Sequence, residues 1–130
     1  MARILSDAPW TKNDRIQLCL QPMTHPEILR AFLCDNGYLI TDEAVVDEDG
    51  RLYQIILASW TGKREEYTDA ELFFGRINIS QRTEVFLGLA RKSRDIFTKR
   101  AEGKESAGEE AVYERDMIEQ INAILSEEKI

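Results

Sequence analysis

Ile16-Gln17-Leu18-Cys19-Leu20-Gln21-Pro22-Met23 is the stretch that decides how this 130-residue chain folds. Ile16, Leu18 and Leu20 alternate with Gln17 and Cys19. Because cysteine is itself apolar, the run predicts a strand buried on both faces. Gln21-Pro22 ends it, since proline has no N–H to give to a sheet ladder. Thr24 and Glu27 stand at capping-box spacing and predict a helix start with Pro26 in its first turn. Ile28, Leu29, Phe32 and Leu33 fall on one face of that helix, and Asn36-Gly37 closes it. Two more apolar runs follow, residues 38–46 and 52–58, joined by Asp47-Glu48-Asp49-Gly50. The glycine suits the positive φ of a hairpin turn. No carboxylate follows at calcium-loop spacing, so the acidic turn is expected to be a solvated tip. The unit is strand, helix, strand, turn, strand.

Four segments of this unit together resemble one family. They are Leu20-Gln21-Pro22-Met23, Ile28-Leu29-Arg30-Ala31-Phe32-Leu33, Asn36-Gly37-Tyr38-Leu39-Ile40-Thr41-Asp42-Glu43 and Gly50-Arg51-Leu52-Tyr53-Gln54-Ile55-Ile56. The chain is similar to the C-terminal part of the bacterial tRNA adenine N1-methyltransferases that modify adenine twenty-two. These are class I enzymes that use S-adenosylmethionine and carry a C-terminal helical coiled coil. The resemblance implies an α/β fold: three strands of a Rossmann-like sheet in the order first, third, second, the last antiparallel, followed by an antiparallel helical hairpin. It implies that the cofactor site lies in the family's upstream half, so no cofactor is expected on this chain alone. It also implies that Met1 to Trp10 is the end of a helix preceding the first strand.

Composition fits a compact chain. Hydrophobic residues at 43% and charged residues at 32% are ordinary for a globular domain. No apolar run reaches the roughly 20 residues a membrane helix needs, and the N-terminus lacks a signal-peptide pattern. Cys19 and Cys34 are expected to be free, buried thiols, which suits a cytoplasmic protein. One histidine and two separated cysteines give no metal-ligand cluster.

After residue 60 the period changes. Residues 61–80 form a polar connector in which Thr68 and Glu71 repeat the capping-box spacing ahead of a short helix carrying Phe73 and Phe74. The two aromatics are expected to plug the sheet. Residues 81–130 then form the hairpin. Ser80 is placed to cap its first helix, whose stripe is Val85, Phe86, Leu89, Ser93, Ile96, Phe97 and Arg100. An interruption is expected from Glu102 to Gly108. Val112, Met117, Ile118, Ile121, Ile124 and Leu125 mark the second helix, antiparallel to the first.

The net charge of −7 excludes a protein that coats nucleic acid by bulk charge. Its distribution is uneven. Arg82, Arg91, Lys92, Arg94, Lys99 and Arg100 stand against only Glu84 and Asp95, and acidic residues dominate from Glu102 onward. The basic segment either pairs with the acidic helix or, as the resemblance implies, contacts a tRNA backbone. The chemistry-bearing candidates lie elsewhere, at the carboxyl end of the first strand. Gln21 can donate and accept toward a base edge, and with Pro22 and Met23 it forms a candidate substrate pocket. His25 follows them at the helix start, where ligand clefts of α/β sheets open. No catalytic residue is identified. The outer edge of the first strand is expected to be covered, through a homodimer or otherwise. A non-enzymatic module using that edge and the hairpin to bind a protein partner is the alternative.

Overall fold

The computed structural model describes residues 9–13 and 15–126. The expected helix end at Met1 to Trp10 lies mostly outside these residues; Pro9–Thr11 forms a 3-10 turn. The chain divides into two compact units between Gln81 and Arg82.

The first unit holds a three-stranded sheet. Strand β1 (Gln17–Leu20) pairs antiparallel with β3 (Arg51–Trp60), which pairs antiparallel with β2 (Tyr38–Glu48), in the order β1-β3-β2. Both the order and the antiparallel last strand are as expected. β1 itself is not buried on both faces: Leu20 is buried and Leu18 partly so, while Gln17 and Cys19 are exposed. The apolar sulfur of Cys19 had masked an ordinary one-sided alternation. Both thiols are free, but only Cys34 is buried.

Helix α1 (Pro26–Asp35) covers one face of the sheet. Leu29 and Leu33 join Leu20, Tyr38, Ile40, Ile56 and Ala58 in the core, with Phe32, Trp60 and Ile77 packed around them. Ile28 points outward, 58% exposed, and the inward position expected for it is taken by Arg30. The Thr24–Glu27 capping box does not form. Pro26 heads the helix, and the cap is His25, in the left-handed region with φ 52 and no side-chain cap bond.

The β2–β3 hairpin turns on Asp49-Gly50, with φ 53 and 84, the two successive positive values of a type I′ turn. Asp47 accepts the Gly50 amide at 2.9 Å. In β2 a register shift between Ile40 and Asp42 changes which residues face the core. Strict alternation from Tyr38 and Ile40 would carry Asp42 inward; the extra residue puts Glu43 and Val45 there instead.

Helix α2 (Asp69–Phe74) starts with the expected capping box, Thr68 and Glu71 exchanging bonds of 3.2 and 2.8 Å. Phe74 is fully buried, with Phe73 edge-on to it at 4.9 Å. A further helix, α3 (Arg76–Gln81), was not foreseen, because Gly75 gave a stop signal and no capping residue follows it. Its start is satisfied from the sheet, as described below.

The second unit is a helical hairpin of α4 (Glu84–Ser106) and α5 (Val112–Ser126). Phe97 meets Tyr113 edge-on at 6.0 Å and Arg94 bonds Asn122 at 3.0 Å, so the helices run antiparallel. The cap of α4 is Thr83, accepting from the Phe86 amide at 3.1 Å, whereas Ser80 lies within α3. Nor does α4 stop at Glu102. It continues through Gly103 to Ser106 despite a glycine cost of about 1 kcal/mol, and this exposed last turn carries Lys104 and Glu105, which pair with Glu114 and Arg115. The buried seam of α4 uses Leu87, Ala90 and Ala101 beside Phe86, Ser93 and Phe97, while Ile96 is 43% exposed. In α5 Met117, Ile121 and Ile124 are buried, and Val112, expected inside, is 70% exposed.

Candidate functional site

The residues singled out in the sequence fall into two separate groups. Gln21, Pro22 and Met23 leave the carboxyl end of β1, with Gln21 exposed, Pro22 half-buried and Met23 76% exposed. His25 follows at once, and its Nδ1 lies 3.2 Å from Glu27 Oε1. A non-glycine residue in the left-handed region costs about 1–2 kcal/mol. This strain therefore sits beside the polar and apolar groups of the strand exit, along with the outward Ile28. An amide that both donates and accepts, next to exposed apolar surface, can hydrogen-bond and stack on a planar base.

The cationic group lies on α4. Lys92 and Lys99, seven residues apart, share the exposed face, with Arg91 and Arg100 also exposed. The Arg100 guanidinium lies over the Phe97 ring at 5.6 Å. The other two predicted cations are drawn toward α5. Arg94 bonds Asn122, and Arg82, itself left-handed with φ 50, donates to the Ile124 carbonyl at 2.6 Å. Arg82 thereby satisfies a carbonyl near the end of α5.

Two ion pairs join the hairpin helices at their turn, Lys104–Glu114 at 2.9 Å and Arg115–Glu105. Hydrogen bonds from Lys104 and Arg115 hold the Glu114 and Glu105 carboxyls below the usual range. These pairs use residues outside the 82–100 basic segment.

A third group escaped the sequence reading. The side chains of Arg30 and Glu43 are fully buried, with Nε 2.7 Å from Oε2. The guanidinium also donates to Gln54 Oε1 at 2.7 Å and to the carbonyls of Leu72, Phe73 and Phe74 at 3.0, 2.9 and 3.2 Å. The other Glu43 oxygen accepts the amides of Ile77 at 2.9 Å and Asn78 at 3.4 Å. Burial lowers the Arg30 pKa while Glu43 opposes the change, and a guanidinium stays charged in either case. The signal available in the sequence was one cation and one anion, each interrupting an apolar pattern.

A cavity of about 270 Å³ lies between α1 and the connector, lined by Ala31, Cys34, Asp35, Arg64, Glu65, Glu66, Tyr67 and Leu72. Burial pushes the Cys34 thiol up to about 11 and the Tyr67 hydroxyl up to about 12. Both stay protonated at neutral pH, so neither supplies a nucleophile there. Among the described residues no cluster of three His, Cys, Asp or Glu could hold a metal ion. No described helix is long and apolar enough to cross a membrane.

The comparisons with known proteins agree with the sheet topology. The Bacillus subtilis tRNA (adenine(22)-N(1))-methyltransferase is 27% identical over 100 residues, 77% of this chain and 39% of that protein. A Streptococcus pneumoniae candidate tRNA (m1A22) methyltransferase, solved with S-adenosyl-L-methionine, superposes with a TM-score of 0.79 at 23% identity. The match covers 96% of this chain and 54% of that one. A Streptococcus agalactiae protein of the NADB-Rossmann superfamily gives 0.74 at 25% identity, over 95% of this chain and 56% of its own. The chain thus spans about half the length of these solved relatives, and less of the curated one. The family model described as tRNA (adenine(22)-N(1))-methyltransferase matches residues 1–126, and the chain belongs to that family.

Proposed function

We propose that this chain supplies the tRNA-facing part of an S-adenosylmethionine-dependent methyltransferase acting on N1 of an adenine in tRNA. Family membership over residues 1–126 is the observation that carries this reading. The described residues themselves do not fit the cofactor. The β1 exit is Gln21-Pro22, with no glycine loop to approach a nucleoside closely, so no step is routed through the cofactor here. The cofactor would supply the methyl group, and the acceptor would be the ring-nitrogen lone pair at N1.

What the chain's own residues do is position the acceptor. N1 lies in the pairing edge of adenine, so the base must be unpaired or extruded before it can be held at attack distance. Gln21 meets a polar edge of the base, and Pro22 and Met23 offer an apolar wall. Arg91, Lys92, Lys99 and Arg100 face the backbone phosphates, while Arg94 and Arg82 shape the hairpin that presents them. A cytoplasmic location belongs to the same reading.

Fluorescence anisotropy with a tRNA transcript tests it. Replacing Arg91, Lys92 and Lys99 by Glu should weaken binding and flatten the dependence of log K on log salt. Unchanged affinity at low salt would take α4 out of the RNA interface. Calorimetry with S-adenosylmethionine is expected to show no binding to this chain. Stoichiometric binding would show that it builds a cofactor site of its own.

A second reading has one observation in its favour. Among the described residues β1 is paired on one side only, and the sheet face away from α1 carries Cys19, Leu39 and Val46 exposed. Such an edge suits strand addition, by a second copy or another protein, in a non-enzymatic module. Light scattering at high micromolar concentration decides the dimer; a monomer removes it.

A further inference from the structure

His25 is the one histidine of the chain. An imidazole serves a reaction when a second group holds its ring and its tautomer. Glu27, two residues on, is that group: its Oε1 lies 3.2 Å from His25 Nδ1. An ionised carboxylate only accepts. Nδ1 therefore carries the hydrogen of this bond, and Nε2 of the neutral ring is left as an acceptor.

Neither side chain is used to start the helix. The His25 carbonyl accepts the Ile28 and Leu29 amides at 3.1 and 3.5 Å, while its ring makes no cap bond. Glu27 Oε2 is enclosed by protein and has no hydrogen-bond partner among the described residues. A carboxylate in the first turn suits the helix dipole, but that role asks for no histidine beside it. Poorly solvated and bonded only to a neutral ring, its charge acts strongly on what lies nearby. The His25 side chain is 70% exposed, and its backbone is held at φ 52, a strained conformation of the kind that gathers at functional sites. Met23 and Ile28 put exposed apolar surface within three residues of it.

Adenine methylated on N1 is a cation: the N1 lone pair lies in the N–C bond, and the charge is shared with the exocyclic amine. We infer that His25 and Glu27 form a dyad that recognises this charged base, with His25 Nε2 accepting an N–H of the amine and Glu27 holding the ring in the tautomer that can accept. The inference rests on the reading above, in which the β1 exit meets the base. His25 touches the base; Glu27 is a positioning residue acting through it. Hydrogen bonds from a charged donor are about twice as strong as neutral ones, so the dyad favours the cation over neutral adenine. Such a preference acts as the charge develops, which is where it aids methylation.

The test titrates the whole chain with adenosine and with N1-methyladenosine, followed by NMR at the amides of residues 21–28 and at the His25 ring. N1-methyladenosine should bind about fivefold or more tighter, as a charge-assisted bond replaces a neutral one. The ring nitrogen shifts should place the hydrogen on Nδ1. Glu27→Gln should erase the preference, because an amide can also donate to Nδ1 and so leave Nε2 carrying the hydrogen. A preference that survives in this variant overturns the inference.

Should Glu27→Gln fail to fold, the wild-type chain still decides. Equal Kd values for the two nucleosides, or a hydrogen on Nε2, overturn the inference. The same titration separates the dyad from the reading beneath it. If both nucleosides shift residues 21–28 with equal affinity, only the dyad fails. If neither shifts them, the β1 exit does not hold the base, and the dyad falls with that reading.

Discussion

In the sheet unit a guanidinium and a carboxylate lie fully buried 2.7 Å apart, whereas the hairpin unit has two ion pairs at its turn in which Lys104 and Arg115 are nearly half exposed. The sheet unit surrounds its charges with carbonyls, amides and Gln54 until each has partners. The hairpin instead closes on a seam of Phe86, Leu87, Ala90 and Phe97 against Met117, Ile121 and Ile124. Polar bonds have direction and apolar contacts do not. The sheet unit is therefore built to fix an angle between elements, and the hairpin to hold two helices together over their length.

The sharpest way to break this comparison is to remove one member of the buried pair. Arg30→Met leaves Glu43 charged without its partner and strips three α2 carbonyls of their donor. The expected loss is about 3–5 kcal/mol in urea denaturation. A loss under about 1 kcal/mol, the worth of a surface pair, would mean that the pair is no better than an exposed one. In the hairpin the equivalent cost should come from an apolar residue. Phe97, 2% exposed, is expected to cost about 3–5 kcal/mol as Phe97→Ala, read by thermal unfolding.

Next in size is Gly75→Ala. It places a Cβ against the Glu43 carboxylate in a backbone region reserved for glycine, and should cost about 1–3 kcal/mol. Thr68→Ala should cost about 1 kcal/mol, as capping residues do. The other half of the capping box, the Glu71 carboxylate, adds a dependence on pH. Burial pushes that carboxyl up, but the Thr68 amide and Arg76 outweigh it, and the pKa falls below the ordinary 4.5. A depressed folded pKa gives stability that is complete above 4.5 and lost as pH falls through the lower folded value. The penalty of Glu71→Gln should therefore shrink in acid, and a penalty independent of pH would detach the Glu71 carboxylate from the cap. Arg115→Ala comes last: its pair with Glu105 is open to solvent, and the denaturation midpoint should stay near wild type.

Much of the fold was legible because local signals agreed with their surroundings. Pro22, the Asp49-Gly50 turn and the Thr68 capping box each act within a few residues, and the structure keeps them; the two helix periodicities mark α4 and α5, though Ile96 and Val112 lie outside the buried seams. The misread positions share another property. At Thr24 the cap passed to His25, at Ser80 a third helix continued, and at Gly103 α4 ran on to Ser106. Each expectation rested on a weak local preference, the kind that tertiary context overrides. Gln21 and Met23 lie exposed where β1 ends, and the six cations are not equivalent. Only the antiparallel partner helix shows that Arg94 and Arg82 are drawn toward α5 while Lys92 and Lys99 face outward.

The sequence by itself determined the strand–helix–strand–strand order of the first unit, the two long helices of the second and, through family resemblance, the strand order. Tertiary structure alone decided that Glu43 points inward, because a single bulged residue in β2 inverts the strand's alternation from there on. It also decided that Arg30 is buried beside it, since charges 13 residues apart in sequence meet only when α1 lies on that face of the sheet. A charge enters the core only when its partners are assembled around it. Those partners come from α2, α3, β2 and β3 together, so no window of the sequence contains them.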